Sequence, residues 1–235
     1  MKRNLGFTLI EIAVALTIIA LLSVGAMTAL QLAMLRTRVA ETQDALREAR
    51  EAVVTFAVVN RSLPCPALSA TDGNEQSRAG GSCAHVRGLL PWQTLGIRGL
   101  DGWGNRLGYV ASPQLVNGGG APIQLNDAGA VTIMTRDAAG AAVPVNSSGA
   151  VAFAVWSHGA NGRGATTVAG SVIADDSASN VDEDANTSQP GTSNDVFARD
   201  GSISAGSHGG EYDDLVDWES RYVLFGRMMS AGQLP

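Results

Sequence analysis

From Ile12 to Leu35 the chain carries no charged side chain, a run of 24 residues. Wound as a helix at about 1.5 Å per residue, this run spans about 36 Å, enough to cross a hydrocarbon core of roughly 30 Å. Lys2 and Arg3 precede it, and the preference for basic residues on the inner side leaves that end in the cytoplasm. The chain of 235 residues, 45% hydrophobic and 16% charged, then has room for one globular domain beside the anchoring element.

Three kinds of segment look like this: a removable secretory signal peptide, an ordinary single-pass anchor, and a prepilin leader joined to a pilin helix. Glu11 separates them. A carboxylate at the start of an apolar run is costly in lipid and needs a reason to be there, which neither of the first two readings supplies. The run Gly6-Phe7-Thr8-Leu9-Ile10-Glu11, preceded by a short basic leader, resembles the signature of the type IV pilin and pseudopilin family. That resemblance implies cleavage after Gly6 by a prepilin peptidase, N-methylation of the new Phe7 amine, and filament assembly through the apolar helix. It also implies a role for Glu11 in assembly: its charge offsets the Phe7 amine, within one chain or between neighbours, and favours one axial register. The competing cut follows Ala26, after the small residues of Val24-Gly25-Ala26, and would leave Met27 as the first residue.

Beyond Leu35 the helical period continues while polarity rises. Leu32, Leu35, Val39, Thr42, Leu46, Ala49, Val53 and Phe56 recur three or four residues apart, with Arg36, Arg38, Glu41, Asp44, Arg47 and Glu48 on the remaining surface. The stripe is expected to pack on a globular head, with a two-stranded coiled coil as the alternative. Leu63-Pro64-Cys65-Pro66 stops the helix near Asn60, because each proline lacks a donor and disfavours helical geometry in the residue before it.

The implied organisation is a cytoplasmic leader over 1–6, a transmembrane and filament-core helix over 7–35, an amphipathic helix over 36–60, and a periplasmic head over 61–235. The fold class is α+β and type IV pilin-like: a long N-terminal helix packed on a small antiparallel sheet with long loops. Cys65 and Cys83 are the two cysteines and lie on the oxidising side, so a disulfide is expected, worth about 3 kcal/mol in the chain-entropy model. Strands are expected at Leu107 to Ala111, Val131 to Thr135, Ala150 to Trp156 and Asp214 to Trp218, with a terminal helix from Tyr222 to Ala231. In the third strand Val151, Phe153 and Val155 alternate with Ala152 and Ala154, and the small face suits a helix packed against it. Asp101, Trp103, Gly104 and Asn105 resemble a pseudopilin stretch that leads into the first sheet strand, and read equally as an ordinary turn with core aromatics.

Ser157 to Gly210 is rich in Gly, Ser, Asn, Asp and Thr and reads as exposed loop. Within it, and just after it, carboxylates gather at Asp182 to Asp184 and at Asp213-Asp214. Hard oxygen donors suit calcium, although the spacing is not that of an EF-hand and a solvated acidic loop has the same composition. Some pseudopilins bind calcium in a loop closed by an Asp before a late Asp-x-x-x-Trp strand, which Asp214 to Trp218 resembles. By that resemblance Asp182, Asp184, Asp213 and Asp214 are the candidate ligands.

The net charge of -6 argues against a nucleic-acid binder, since no positive field draws the polyanion. No nucleotide loop, metalloprotease helix or nucleophile elbow occurs, so an enzyme is not expected. The alternative is an anchored or secreted periplasmic hydrolase using Ser157, His158 or His208. As a filament subunit, a minor pilin or a type II secretion pseudopilin, the chain would meet a prepilin peptidase, other pilins or pseudopilins, membrane lipid, and an inner-membrane assembly platform. It would sit in a bacterial inner membrane by a single pass with its head in the periplasm, then in a filament.

Overall fold

A computed structural model describes residues 8–116, 122–191, 193–202, 204 and 206–234. The processing pair Gly6 and Phe7 lies outside the described residues. The first element, α1, is one helix from Leu9 to Asn60. It passes through the boundary between two compact units, Met1–Arg38 and Val39–Pro235.

In the first unit the described side chains of α1 are exposed, among them Leu9, Ile10, Leu16, Leu21, Leu22 and Val24. An 18-residue window of this helix is long and apolar enough to cross a membrane, with none of it buried by other parts of the chain. Its hydroxyls do not need water: Thr17, Ser23, Thr28 and Thr37 donate to the carbonyls of Val14, Ile19, Gly25 and Ala33 at 2.8 to 3.0 Å. A helix that satisfies its own polar groups in this way is compatible with lipid.

In the second unit the amphipathic stripe is buried from Thr42 onward, through Leu46, Ala49, Val53, Val54 and Ala57. Leu32 and Leu35 remain exposed and Phe56 is half-buried, because Val54 and Ala57 turn into the core instead. α1 ends at Asn60, and Arg61 follows with a left-handed φ of 55°.

Four strands form the main sheet: β1 (Arg87–Leu89), β2 (Gly108–Ala111), β5 (Val151–Ser157) and β7 (Leu215–Ser220), in the order β1-β2-β5-β7 with antiparallel neighbours. A second sheet holds β3 (Thr132–Arg136) between β4 (Ala142–Pro144) and β6 (Asp195–Phe197), and β3 runs parallel to β6. Short helices α2 (Trp92–Leu95) and α3 (Val181–Ala185) lie in the connections, and α4 (Arg221–Ser230) follows β7. α4 is capped by Ser220, whose hydroxyl accepts from the Tyr222 N–H.

The main sheet is covered on both faces. Tyr109, Phe153 and Val155 join Leu46, Ala49 and Val53 of α1 and Leu224, Phe225 and Met228 of α4 in one core. Val110, Ala154 and Trp156 join Ile133 and Val196 of the second sheet in another. The sequence reading put the small face of β5 on the helix. Instead the irregularity between Val151 and Phe153 mixes the two sets: Ala152, Phe153 and Val155 face the core to which α1 brings the small Ala49 and Ala57, while Val151, Ala154 and Trp156 face the second sheet.

That second sheet also alters the reading of the loop region. The stretch after Ser157 supplies a strand and buried polar side chains, with Asn180, Asp182, Glu183, Asn186 and Ser188 all under 4% exposed. Arg87 organises it. Its guanidinium, itself buried, donates to the carbonyls of Ser193, Ala185, Thr187 and Asp195 and stacks over Trp156 at 4.9 Å. One arginine therefore takes the place of the apolar residues that this stretch lacks. The disulfide between Cys65 and Cys83 is formed, with the Cα atoms 5.7 Å apart.

Candidate functional site

Two places in the chain concentrate chemistry: the start of α1 and the carboxylates beside β7. At the first, the Thr8 backbone N–H and hydroxyl both donate to one Glu11 carboxylate oxygen at 2.8 Å. The Glu11 N–H donates back to the Thr8 hydroxyl oxygen at 3.3 Å. This is a reciprocal capping box, which satisfies two of the donors that a helix start leaves orphaned. It needs a Thr and a Glu three residues apart, so Glu11 has a partner inside the chain as well as the terminal amine expected for it. Thr8 belongs to the signature run, and its Thr-x-x-Glu spacing is the sequence signal for this box, a role that the resemblance alone does not supply.

At the second place the carboxylates divide into separate groups. Glu183, Asp213 and Asp214 each bring an oxygen within 4.8 Å of the others. Glu183 accepts from the side chains of Asn161 and Asn180 and from the Asp213 N–H at 2.8 to 3.2 Å. Asp213 accepts from the Asn161 N–H through one oxygen, and Asp214 from the Asn186 side chain through one oxygen. The other oxygen of each, Oδ1, is buried without a partner. Burial, reinforced by Glu183, pushes the Asp213 carboxyl up to about 6. Asp214 is raised well above the usual range, by burial first and then by Glu183 and Asp213.

Of the four residues picked from sequence, Asp213 and Asp214 come together and the other two go elsewhere. Asp182 is fully buried and held by Arg136 at 2.6 Å and Arg199 at 2.8 Å. Asp184 is exposed and hydrogen-bonds Asp175, which raises it to about 6. Its neighbour Glu183 takes the position expected for them. Successive residues of a helical turn point about 100° apart, so a run of three acids on α3 cannot aim at one point. Arg136 and Arg199 lie far from Asp182 in sequence, and no local signal pairs them with it.

Three clustered carboxylates with two unpartnered buried oxygens form a donor set of the hard-oxygen type that suits a divalent cation. A cation there would offset the burial and mutual repulsion that raise the Asp213 and Asp214 carboxyls.

Ser157 and His158 do not work together. Ser157 is fully buried, donates to Asp101 Oδ2 at 2.7 Å and accepts from the Gly159 N–H. His158 is 1% exposed, both ring nitrogens lack partners, and burial, aided by Arg87, holds its pKa down at about 4. His208 shows no shared geometry with either among the described residues.

Residues 1–27 match the model of the prokaryotic N-terminal methylation motif, the prepilin-type signature of type IV pilins and pseudopilins. No curated protein and no solved structure matches the chain.

Proposed function

We propose that the chain is a structural subunit of a type IV filament, either a minor pilin or a type II secretion pseudopilin. Prepilin peptidase would cut after Gly6, the Phe7 amine would be methylated, and the apolar half of α1 would hold the subunit in the inner membrane and then in the filament core. The observation that carries this reading is the methylation motif at the head of one continuous helix, apolar and uncovered at first and buried in a folded head from Thr42 on. Supporting it, the hydroxyls of Thr17, Ser23 and Thr28 in the apolar half are bonded within the helix. Expression of the full chain with and without a prepilin peptidase, followed by shearing of surface filaments, tests it. Processed subunit should appear in the sheared fraction only with the peptidase; its absence from filaments despite processing would refute the reading.

The same subunit would bind calcium through Glu183, Asp213 and Asp214. The supporting observations are the two orphaned carboxylate oxygens and the burial of Asp214. Addition of calcium to the chelator-treated chain should raise its melting temperature, and an unchanged melt would remove the site.

A further inference from the structure

The outer edge of β7 is the open end of the main sheet: β5 lies on one side, and no described strand or bridge lies on the other. Such an edge exposes unpaired backbone donors and acceptors that can template another strand. Here two of the donors are taken by side chains. The Trp218 N–H donates to Asp217 Oδ1 at 2.9 Å, and the Ser220 N–H to Glu219 Oε1 at 2.9 Å. Both N–H groups are therefore turned away from β5, as alternation in an antiparallel ladder requires of residues two apart. Asp217 and Glu219 are in turn held from α1 by Arg50, at 3.0 and 3.9 Å. Beside this edge runs a cleft of about 310 Å3 between Gln43, Leu46, Arg47 and Arg50 of α1 and Leu215 to Asp217 of β7.

We propose that Arg50, Asp217 and Glu219 form a guard that stops the β7 edge from pairing with the β7 edge of a second copy. The occupant that the edge fits is a copy of itself. Two such edges brought together antiparallel about Trp218 are self-complementary, each Trp218 exchanging its N–H and C=O with the other, as a two-fold contact demands. In that arrangement residue 217 of one copy lies opposite residue 219 of the other. With the carboxylates in place, their like charges face each other across the contact and the Trp218 and Ser220 donors are already spent, so the pairing is opposed. Removal of both carboxylates frees the edge.

The pairing has a specific chemical readout, because Cys65 and Cys83 are bonded to each other and an introduced thiol has no free native partner. The full chain carrying Asp217→Cys and Glu219→Cys, purified in detergent and mildly oxidised, should give a covalent dimer, through thiols that face each other across the two-fold. Asp217→Cys alone should give at least tenfold less, because residue 217 does not face its own counterpart. The proposal is overturned if the folded double variant gives no dimer, or if the single variant gives as much. Should the double variant fail to fold, Arg50→Ala serves instead. Amide exchange at Trp218 and Ser220 should quicken at least tenfold as their carboxylate partners lose their tether, and unchanged rates overturn the proposal.

Discussion

One oxygen of the Glu11 carboxylate receives both the backbone N–H and the hydroxyl of Thr8, each at 2.8 Å. An acidic side chain at the start of an exposed apolar helix is thus already bonded within its own chain, which would lower the cost of holding it in lipid before any neighbour is met. For the subunit to trade this bond for the amine of a neighbour, the box must be weak enough to open.

Glu11→Ala should leave insertion and cleavage intact while abolishing incorporation into filaments, because no charge remains to pair. Thr8→Val keeps the charge and removes the hydroxyl, at a cost of about 1 kcal/mol to the helix start. Incorporation of the Thr8 variant should fall only a few-fold. Quantitative blotting of membrane and sheared-filament fractions reads both, and normal filaments from Glu11→Ala would contradict the role of the charge.

Replacement of Arg87 by Met keeps its length but strands the carbonyls of Ala185, Thr187, Ser193 and Asp195. A loss of about 3–5 kcal/mol is expected, in the range for breaking a buried charged network. Chemical denaturation of the purified chain measures it. Limited proteolysis should cut first within 185–195, the segment that this side chain holds.

Removal of Asp182 and of Asp213 should separate structure from cation binding. Asp182→Asn breaks the pairs with Arg136 and Arg199 and should cost several kcal/mol, yet the chain should still be stabilised by calcium. Asp213→Asn should leave the metal-free chain about as stable as before, since burial already favours the neutral acid there, and should remove the calcium response. Melting curves with calcium and with chelator give both results in one experiment.

His158 is neutral in the fold, with a pKa near 4 against 6.5 when exposed, so between those values the unfolded chain binds more protons than the folded one. Its contribution to stability is complete above pH 6.5 and is lost as pH falls toward 4, on the order of 3 kcal/mol in total. Asp184 and Asp213, both held near 6, act in the opposite sense, binding protons in the fold first and adding stability as pH falls through that value. The difference between the native chain and His158→Leu isolates the histidine. It should shift toward the variant below pH 6, as read by denaturation at pH 7, 5.5 and 4.5.

Elements with a strong period or a hard stop were legible in the sequence. The end of α1 at Asn60 followed from Pro64 and Pro66, and β2, β3, β5, β7 and α4 fall within one or two residues of their expected bounds. The short strands β1, β4 and β6, three residues each, carry too little pattern to stand out, and the parallel β3–β6 pairing joins residues about 60 apart. The loop region misled for a related reason. Its lack of apolar residues was real, but Arg87 from outside the region and Asn186 from within it bond its backbone, and composition does not report such bonds. The cluster at Glu183 was half legible: the Asp213-Asp214 pair stood out, whereas which acid of α3 joins it depends on Arg136 and Arg199 drawing Asp182 away.

The mass of the N-terminal peptide tests most directly whether the chain is a processed prepilin. Subunit recovered from filaments or from peptidase-competent membranes should begin at Phe7, carry one added methyl group on that amine, and contain no lysine, because Lys2 is the only one in the chain. A mature chain that retains Met1, or one that begins at Met27, would contradict it.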